Sequence, residues 1–254
     1  MTESDWSRPH WTRAEAKALL VYFVFGTFDA DIQAALPARV RDTLPREIEV
    51  RRIPRAMLAH WEGHPLRGAL GETFRAADPD AFAAARAAPE CLMLRGEFAD
   101  RASLAYLRDT LGVVAALLDA GGSVVVDPQI LEILNAAAWR QRYAAGALAE
   151  PRSHVLVLCH DAAGGAAWIK TRGMRKFARP DVSIRAVPRE DVQRAGVVAA
   201  KLVELQARGM RFGDGSVVDA GAAGKLAVTR AGTLDDPEFN NTHLEVAWPQ
   251  HAGG

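Results

Sequence analysis

Apolar residues fall in short runs set off by glycine, proline and acidic stretches, and the spacing within each run predicts its element. Positions 19–25, Leu-Leu-Val-Tyr-Phe-Val-Phe, are apolar throughout and stop at Gly26. That predicts a buried strand. Residues 29–44 read as a helix divided at Pro37, and 47–53 read as a strand closed by Pro54. Residues 55–77, with His60, Trp61 and His64, are the least regular part of the first half. Asp78 and Pro79 form a cap-plus-proline helix start, and the alanine-rich helix that follows ends before Pro89.

Farther on, 91–98 reads as a strand. Asp100 reads as the cap of a long helix with Leu104, Leu107, Leu111, Val114 and Leu118 on one face, ended by Gly121 and Gly122. A short strand at 124–126 precedes Asp127 and Pro128, which repeat the helix-start signal for a helix to about Tyr143. Strands are expected at 154–160, 167–171 and 182–187. A helix runs from Pro188 through Val192, Ala199, Leu202 and Leu205 to Gly209, and short strands near 210–218, 226–229 and 244–248 close the chain. Strand–helix–strand units followed by a strand-rich end indicate an α+β protein with a mixed sheet. The order β-α-β then β-β-α-β has ferredoxin-like wiring and admits one or two such units. Residues 1–17 are expected to fray, apart from a helical turn that the capping-box spacing of Thr12 and Glu15 could start. Residues 18–254 are expected to form one α+β domain, with room for two subdomains dividing near 78–90.

Charge narrows the partners. Basic and acidic residues balance at 31 each. Phosphate-tracking proteins usually carry a basic excess, so no nucleic-acid partner is expected. Lysine occurs only at Lys17, Lys170, Lys176, Lys201 and Lys225, and the other cations are arginines. Cys91 and Cys159 each lie inside an apolar run and read as buried thiols on core strands. Reduced thiols fit a cytoplasmic protein. The apolar stretch 18–25 is far shorter than the roughly 20 residues a membrane helix needs. Glu3 and Asp5, with no small-residue cleavage pattern, argue against a signal peptide.

Several motifs fail on spacing. Gly221-Ala-Ala-Gly224-Lys225 has two residues between its glycines where a phosphate loop has four, and Leu226 follows the lysine. There is no Gly-x-Gly-x-x-Gly after a strand and no Gly-x-Ser-x-Gly. His60-Trp-Glu-Gly-His64 has the separation of a helical zinc pair, but Gly63 and Pro65 disfavour a helix. His154 and His160 share a strand face yet stand about 20 Å apart, so they cannot share a metal. No metal and no cofactor is expected.

Two polar segments remain. The first, 168–181, carries Arg172, Arg175, Lys176 and Arg179 beside Trp168 and Phe177, with Asp181 to orient them. Such a loop suits a phosphate or carboxylate. It also reads as a structural turn in which Gly173 bends the chain and Arg179 pairs with Asp181. The second, 233–243, offers Asp235, Asp236, Glu238, Asn240, Asn241 and His243; its spacing is not that of a calcium loop, and it also reads as a turn-rich connection. His243 and Glu245 share a strand face. His160 with Asp161, or His243 with Asp235 or Asp236, are candidate acid–base pairs.

The strings 106–119, 126–128, Thr171-Arg-Gly-Met-Arg-Lys-Phe-Ala-Arg-Pro-Asp181 and Asp235-Asp-Pro-Glu-Phe-Asn-Asn-Thr-His243 resemble a family of bacterial proteins of unknown function. The resemblance spans most of the chain from about Leu19, and it implies a bacterial, cytoplasmic, globular protein with no particular activity. The family pattern has histidine where Lys170 stands and glycine where Ala178 stands.

The leading expectation is a non-enzymatic binding or interaction protein. Its surface joins the arginine loop (Arg172, Arg175, Lys176, Arg179, Asp181) to Asn240 and Asn241, for a small anionic ligand or a protein partner. One alternative is a hydrolase or transferase acting on a phosphorylated small molecule through His243 or His160 with Asp235. Another is an immunity or secretion-associated accessory protein.

Overall fold

The computed structural model describes residues 6–29, 31, 40, 42, 44–58, 60–143, 150–221 and 224–249. The helix expected at 29–44 lies largely outside them. The chain divides into two compact units. The first comprises Met1–Trp6, Leu19–Phe98 and Ser103–Ala149; the second comprises Ser7–Ala18, Ala99–Ala102 and Glu150–Gly254.

In the first unit, β1 (Lys17–Gly26) has no clean alternation because both of its faces are covered. Phe23 and Phe25 pack with Phe74, Phe82, Ala85 and Ile133, while Leu20, Tyr22 and Val24 are buried on the other face. β2 (Ile48–Pro54) leads into a short α1 (Arg55–Leu58), then α2 (Gly68–Ala77) and α3 (Pro79–Ala87). Residues 55–77, which lacked periodicity, are thus partly helical. Asp78 caps α3 as its sequence predicts, accepting from the Ala81 backbone N–H at 2.9 Å ahead of Pro79. β3 (Glu90–Ala99), α4 (Ala105–Asp119), β4 (Gly122–Asp127), β5 (Glu132–Asn135) and α5 (Ala136–Arg142) complete the unit.

Two helix starts differ from expectation. Asp100 does not cap α4, whose first residue is Ala105; its carboxylate is used elsewhere. Asp127 accepts from Gln129 N in a turn, and β5 stands where a helix was expected, with Asn135 as the cap of α5. The strand order β2-β3-β1-β4-β5 contains β4-β1-β3-β2, the order ferredoxin-like wiring produces. α1–α3 are inserted between β2 and β3, and β5 is added beyond β4.

The second unit is a six-stranded sheet in the order β6-β7-β8-β11-β10-β9. Its strands are β6 (Leu156–Asp161), β7 (Ala167–Arg172), β8 (Asp181–Val187), β9 (Ser216–Asp219), β10 (Lys225–Ala231) and β11 (His243–Val246), with α6 (Val192–Ala207) between β8 and β9. β8 and β11 are parallel neighbours; the other pairs are antiparallel. Alternation sorts the faces. Ile169, Val182, Ile184, Leu244, Val246 and Val228 turn to α6, whose Ala195, Val198, Ala199 and Leu202 form the helical stripe that meets them. Trp168, Lys170, Ser183 and Glu245 alternate to the opposite face.

Residues from the first hundred complete this second core. Arg8, in the segment expected to fray, is buried and bonds Asp100, the Ala207 carbonyl (2.9 Å) and the Phe177 carbonyl (3.0 Å). Arg179 meets the other Asp100 oxygen at 3.0 Å, and Ala14 N donates to that oxygen at 2.7 Å. Thr12 starts no helical turn; its carbonyl accepts from Arg179. Cys91 is buried, but Cys159 is exposed, because β6 is a sheet edge that α6 does not fully cover; both thiols are free. Among the described residues no helix is long and apolar enough to cross a membrane.

Candidate functional site

The two polar segments meet in the second unit. β8 and β11 run side by side, pairing Asp181 with His243, so the turn before β8 and the loop before β11 share one end of the sheet. Lys170 pairs with Glu238, Arg172 Nη1 donates to the Glu238 carbonyl at 2.8 Å, and Arg175 Nη1 to the Asn240 carbonyl at 3.2 Å. Asn241 Nδ2 donates to the Arg179 carbonyl and to Asp181 Oδ2, both at 2.9 Å.

The loop cations are therefore held by protein oxygens. Lys176 is buried and reaches the His154 carbonyl at 3.4 Å. Arg179 serves Asp100 and the carbonyls of Thr12, Ala178, Gly209 and Met210. Its expected partner, Asp181, instead accepts from Thr171 Oγ1 (2.8 Å), Asn241 and Met174 N (3.3 Å). Burial drives Asp181 up to about 7; the bonds from Asn241, Thr171 and Met174 and the nearby Arg172 oppose it. Arg172 is lowered by burial, with Asp181 and Glu238 offsetting part of that.

A second polar group lies on the sheet face opposite α6, where Lys170 and Ser183 are buried, Trp168 is half-buried and Arg185 is exposed. Trp168 donates from Nε1 to Ser183 Oγ at 2.9 Å. Lys170 Nζ lies 4.3 Å and the Arg185 guanidinium carbon 4.1 Å from the indole centroid. Alternation puts Arg185 there, as it does Ser183, and a β-bulge adds Ala186 beside it. Ile169 pairs with Ile184 and Ala167 with Val187, so Arg185 and Ala186 together oppose Trp168. Ala186 has φ +52°, a left-handed conformation that costs an alanine about 1–2 kcal/mol. Strained bulges of this kind re-aim side chains at functional sites. Arg185 is 55% exposed, with Glu245 at a loose 3.5 Å.

His243 adjoins this platform. It stacks on Phe239 at 4.2 Å, and Phe239 meets Trp168 edge-on at 6.1 Å. Its Nδ1, buried and without a hydrogen-bond partner, is 3.9 Å from Asp236 Oδ2; its Nε2 is 3.7 Å from Glu245 Oε2. Burial lowers the His243 pKa and outweighs Glu245 and Asp236, so the ring is neutral at pH 7. Gly232, at φ +71°, closes one side: a Cβ there would lie 2.7 Å from Nδ1.

The other candidates are more peripheral. Asp235 is exposed, and it is Asp236 that faces His243. Asn240 is exposed at φ +51°. His160 is exposed beside Trp168 at 6.1 Å, while Asp161 pairs with Arg189, so they form no acid–base pair. His64 Nδ1 accepts from Leu66 N at 3.0 Å. Among the described residues no group of three His, Cys, Asp or Glu could hold a metal. Arg185 and Ser183 were missed from sequence, although alternation about Val182 and Ile184 places both on the polar face; the bulge that adds Ala186 has no glycine to mark it.

No protein-family model, curated protein or solved structure matches the chain.

Proposed function

We propose that the protein is a non-enzymatic binding protein that takes a small carboxylate or phosphate at the exposed Arg185 on the sheet face opposite α6 in its second unit. The observation that carries this reading is the Arg185 guanidinium set against the Trp168 ring, with the Ala186 bulge beside it. A guanidinium stacked on indole keeps its planar donor edge for a bidentate anion and gives up little further freedom on binding. Glu245, at 3.5 Å, is too distant to saturate that edge. Anion binding thus belongs to Arg185, and the loop formed by Arg172, Arg175, Lys176 and Arg179 serves as scaffold. A bacterial, cytoplasmic setting is part of the same proposal, and the free Cys91 and Cys159 fit it.

Thermal unfolding with succinate, citrate or inorganic phosphate tests the reading. A ligand at a hundredfold excess over Kd stabilises by about 2.7 kcal/mol. A rise in midpoint with at least one of these anions is expected for the native chain and for Arg189→Gln, and its loss for Arg185→Gln. An equal rise in all three proteins, or none in any, contradicts it.

A second reading rests on His243. Its 3.9 Å approach to Asp236 brings an imidazole and a carboxylate within reach of one bridging water, as acid–base chemistry on a phosphorylated molecule needs. Glu245 lies beside the other ring nitrogen, where a substrate would need access. Binding at Arg185 therefore remains the better-supported reading.

A further inference from the structure

The loop over residues 232–242, between β10 and β11, lies against two buried cations. Lys170 and Arg172 are two apart on β7 and so share a sheet face. The Lys170 side chain is 5% exposed, yet the carboxylate paired with it belongs to Glu238, whose side chain is 53% exposed. That pairing holds the Glu238 carboxyl below the ordinary carboxylate range. Arg172 donates from Nη1 to the Glu238 carbonyl at 2.8 Å and lies within reach of the Glu238 charge. Its Nε is buried and has no hydrogen-bond partner, where buried guanidinium donors are ordinarily matched. The place that Glu238 fills is thus built for negative charge.

We infer that the Glu238 carboxylate is an internal stand-in for a ligand's acid group, and that the ligand is a short dicarboxylate held between Lys170 and Arg185. One carboxylate takes the Glu238 place on Lys170. The other lies on Arg185, and this half of the inference rests on the reading proposed above. The Trp168 ring joins the two places. Lys170 Nζ and the Arg185 guanidinium carbon both lie within 4.3 Å of its centroid, so acid groups a few carbon atoms apart reach both cations. Each cation already faces one carboxylate of its own chain, Glu238 on Lys170 and Glu245 at 3.5 Å on Arg185, which is the pattern a diacid reproduces. Displacement needs no opening of the loop. The half-exposed Glu238 side chain turns out to water, where losing an ion pair costs a carboxylate little. Phe239, buried and stacked on His243 at 4.2 Å, keeps the loop backbone in place.

Calorimetric titration of the full chain with succinate and with acetate at neutral pH tests this. The native chain should bind succinate more tightly than acetate. Glu238→Gln removes a tethered competitor and should tighten succinate by at least about fivefold. A loop residue that only held the structure together would weaken binding when replaced. Adding Lys170→Gln to Glu238→Gln leaves no lysine unpaired, and it should abolish the gain while the far-ultraviolet spectrum stays that of the native chain. Succinate binding that Glu238→Gln leaves unchanged or weakens, or a gain that survives in the double variant, overturns the inference. Arg185→Gln separates the two readings. Binding that is lost in Arg185→Gln yet indifferent to Glu238→Gln overturns the Lys170 place alone. Succinate binding that Arg185→Gln leaves untouched overturns the Arg185 reading, and the dicarboxylate with it.

Discussion

Asp181 shows what burial does to one carboxyl group. Its pKa near 7 in the folded chain compares with an ordinary value of 3.8. Between these values the folded chain holds a proton that the unfolded chain has released, so this residue's contribution to stability is greatest below about pH 4 and declines as pH rises toward 7. The stability of the native chain relative to Asp181→Asn should therefore fall between pH 4.5 and 7.5, by at most about 4 kcal/mol, in urea titrations at several pH values. A difference that stays flat or rises with pH would show that the hydrogen bonds from Thr171, Asn241 and Met174 hold the carboxylate ionised. None of this was legible in the sequence, where Asp181 reads as the partner of Arg179. The turn gives Asp181 three uncharged donors and sends Arg179 to Asp100, 79 positions away.

Among the elements, those fixed by local pattern were legible. The Asp78–Pro79 cap and the α6 stripe follow from spacing alone. Where one polar residue had two uses, tertiary demand decided. Asp100 has the sequence of a cap, yet two buried guanidiniums take its oxygens. Removing one partner of a buried ion pair costs roughly 3–5 kcal/mol, far more than the ~1 kcal/mol of a cap. The β8 bulge was illegible because alanine is a poor residue for positive φ. Ala186→Gly should relieve that strain and stabilise the chain by up to about 1 kcal/mol. It should also free Arg185 from its fixed aim and weaken the anion effect several-fold. More stability with undiminished binding would mean that the bulge does not position Arg185.

For the molecule as a whole, α+β class and the ferredoxin-like strand order of the first unit are readable from element order, because short connections and right-handed crossovers leave few ways to order the strands. The make-up of the second unit is not. Arg8, Asp100 and Arg179 form one buried group from three distant stretches, and no periodic pattern connects them. The meeting of the two polar loops follows from β8 and β11 being parallel neighbours. Whether that face binds an anion is tested most directly by following the six indole N–H resonances in an NMR titration with citrate, succinate or phosphate. The Trp168 Nε1–H signal should move in a saturable way together with Arg185 Nε–H, while Trp61 and Trp139, in the first unit, stay fixed. Saturable shifts at other tryptophans with Trp168 unmoved, or no saturable shift with any of the three anions, would contradict binding at Arg185.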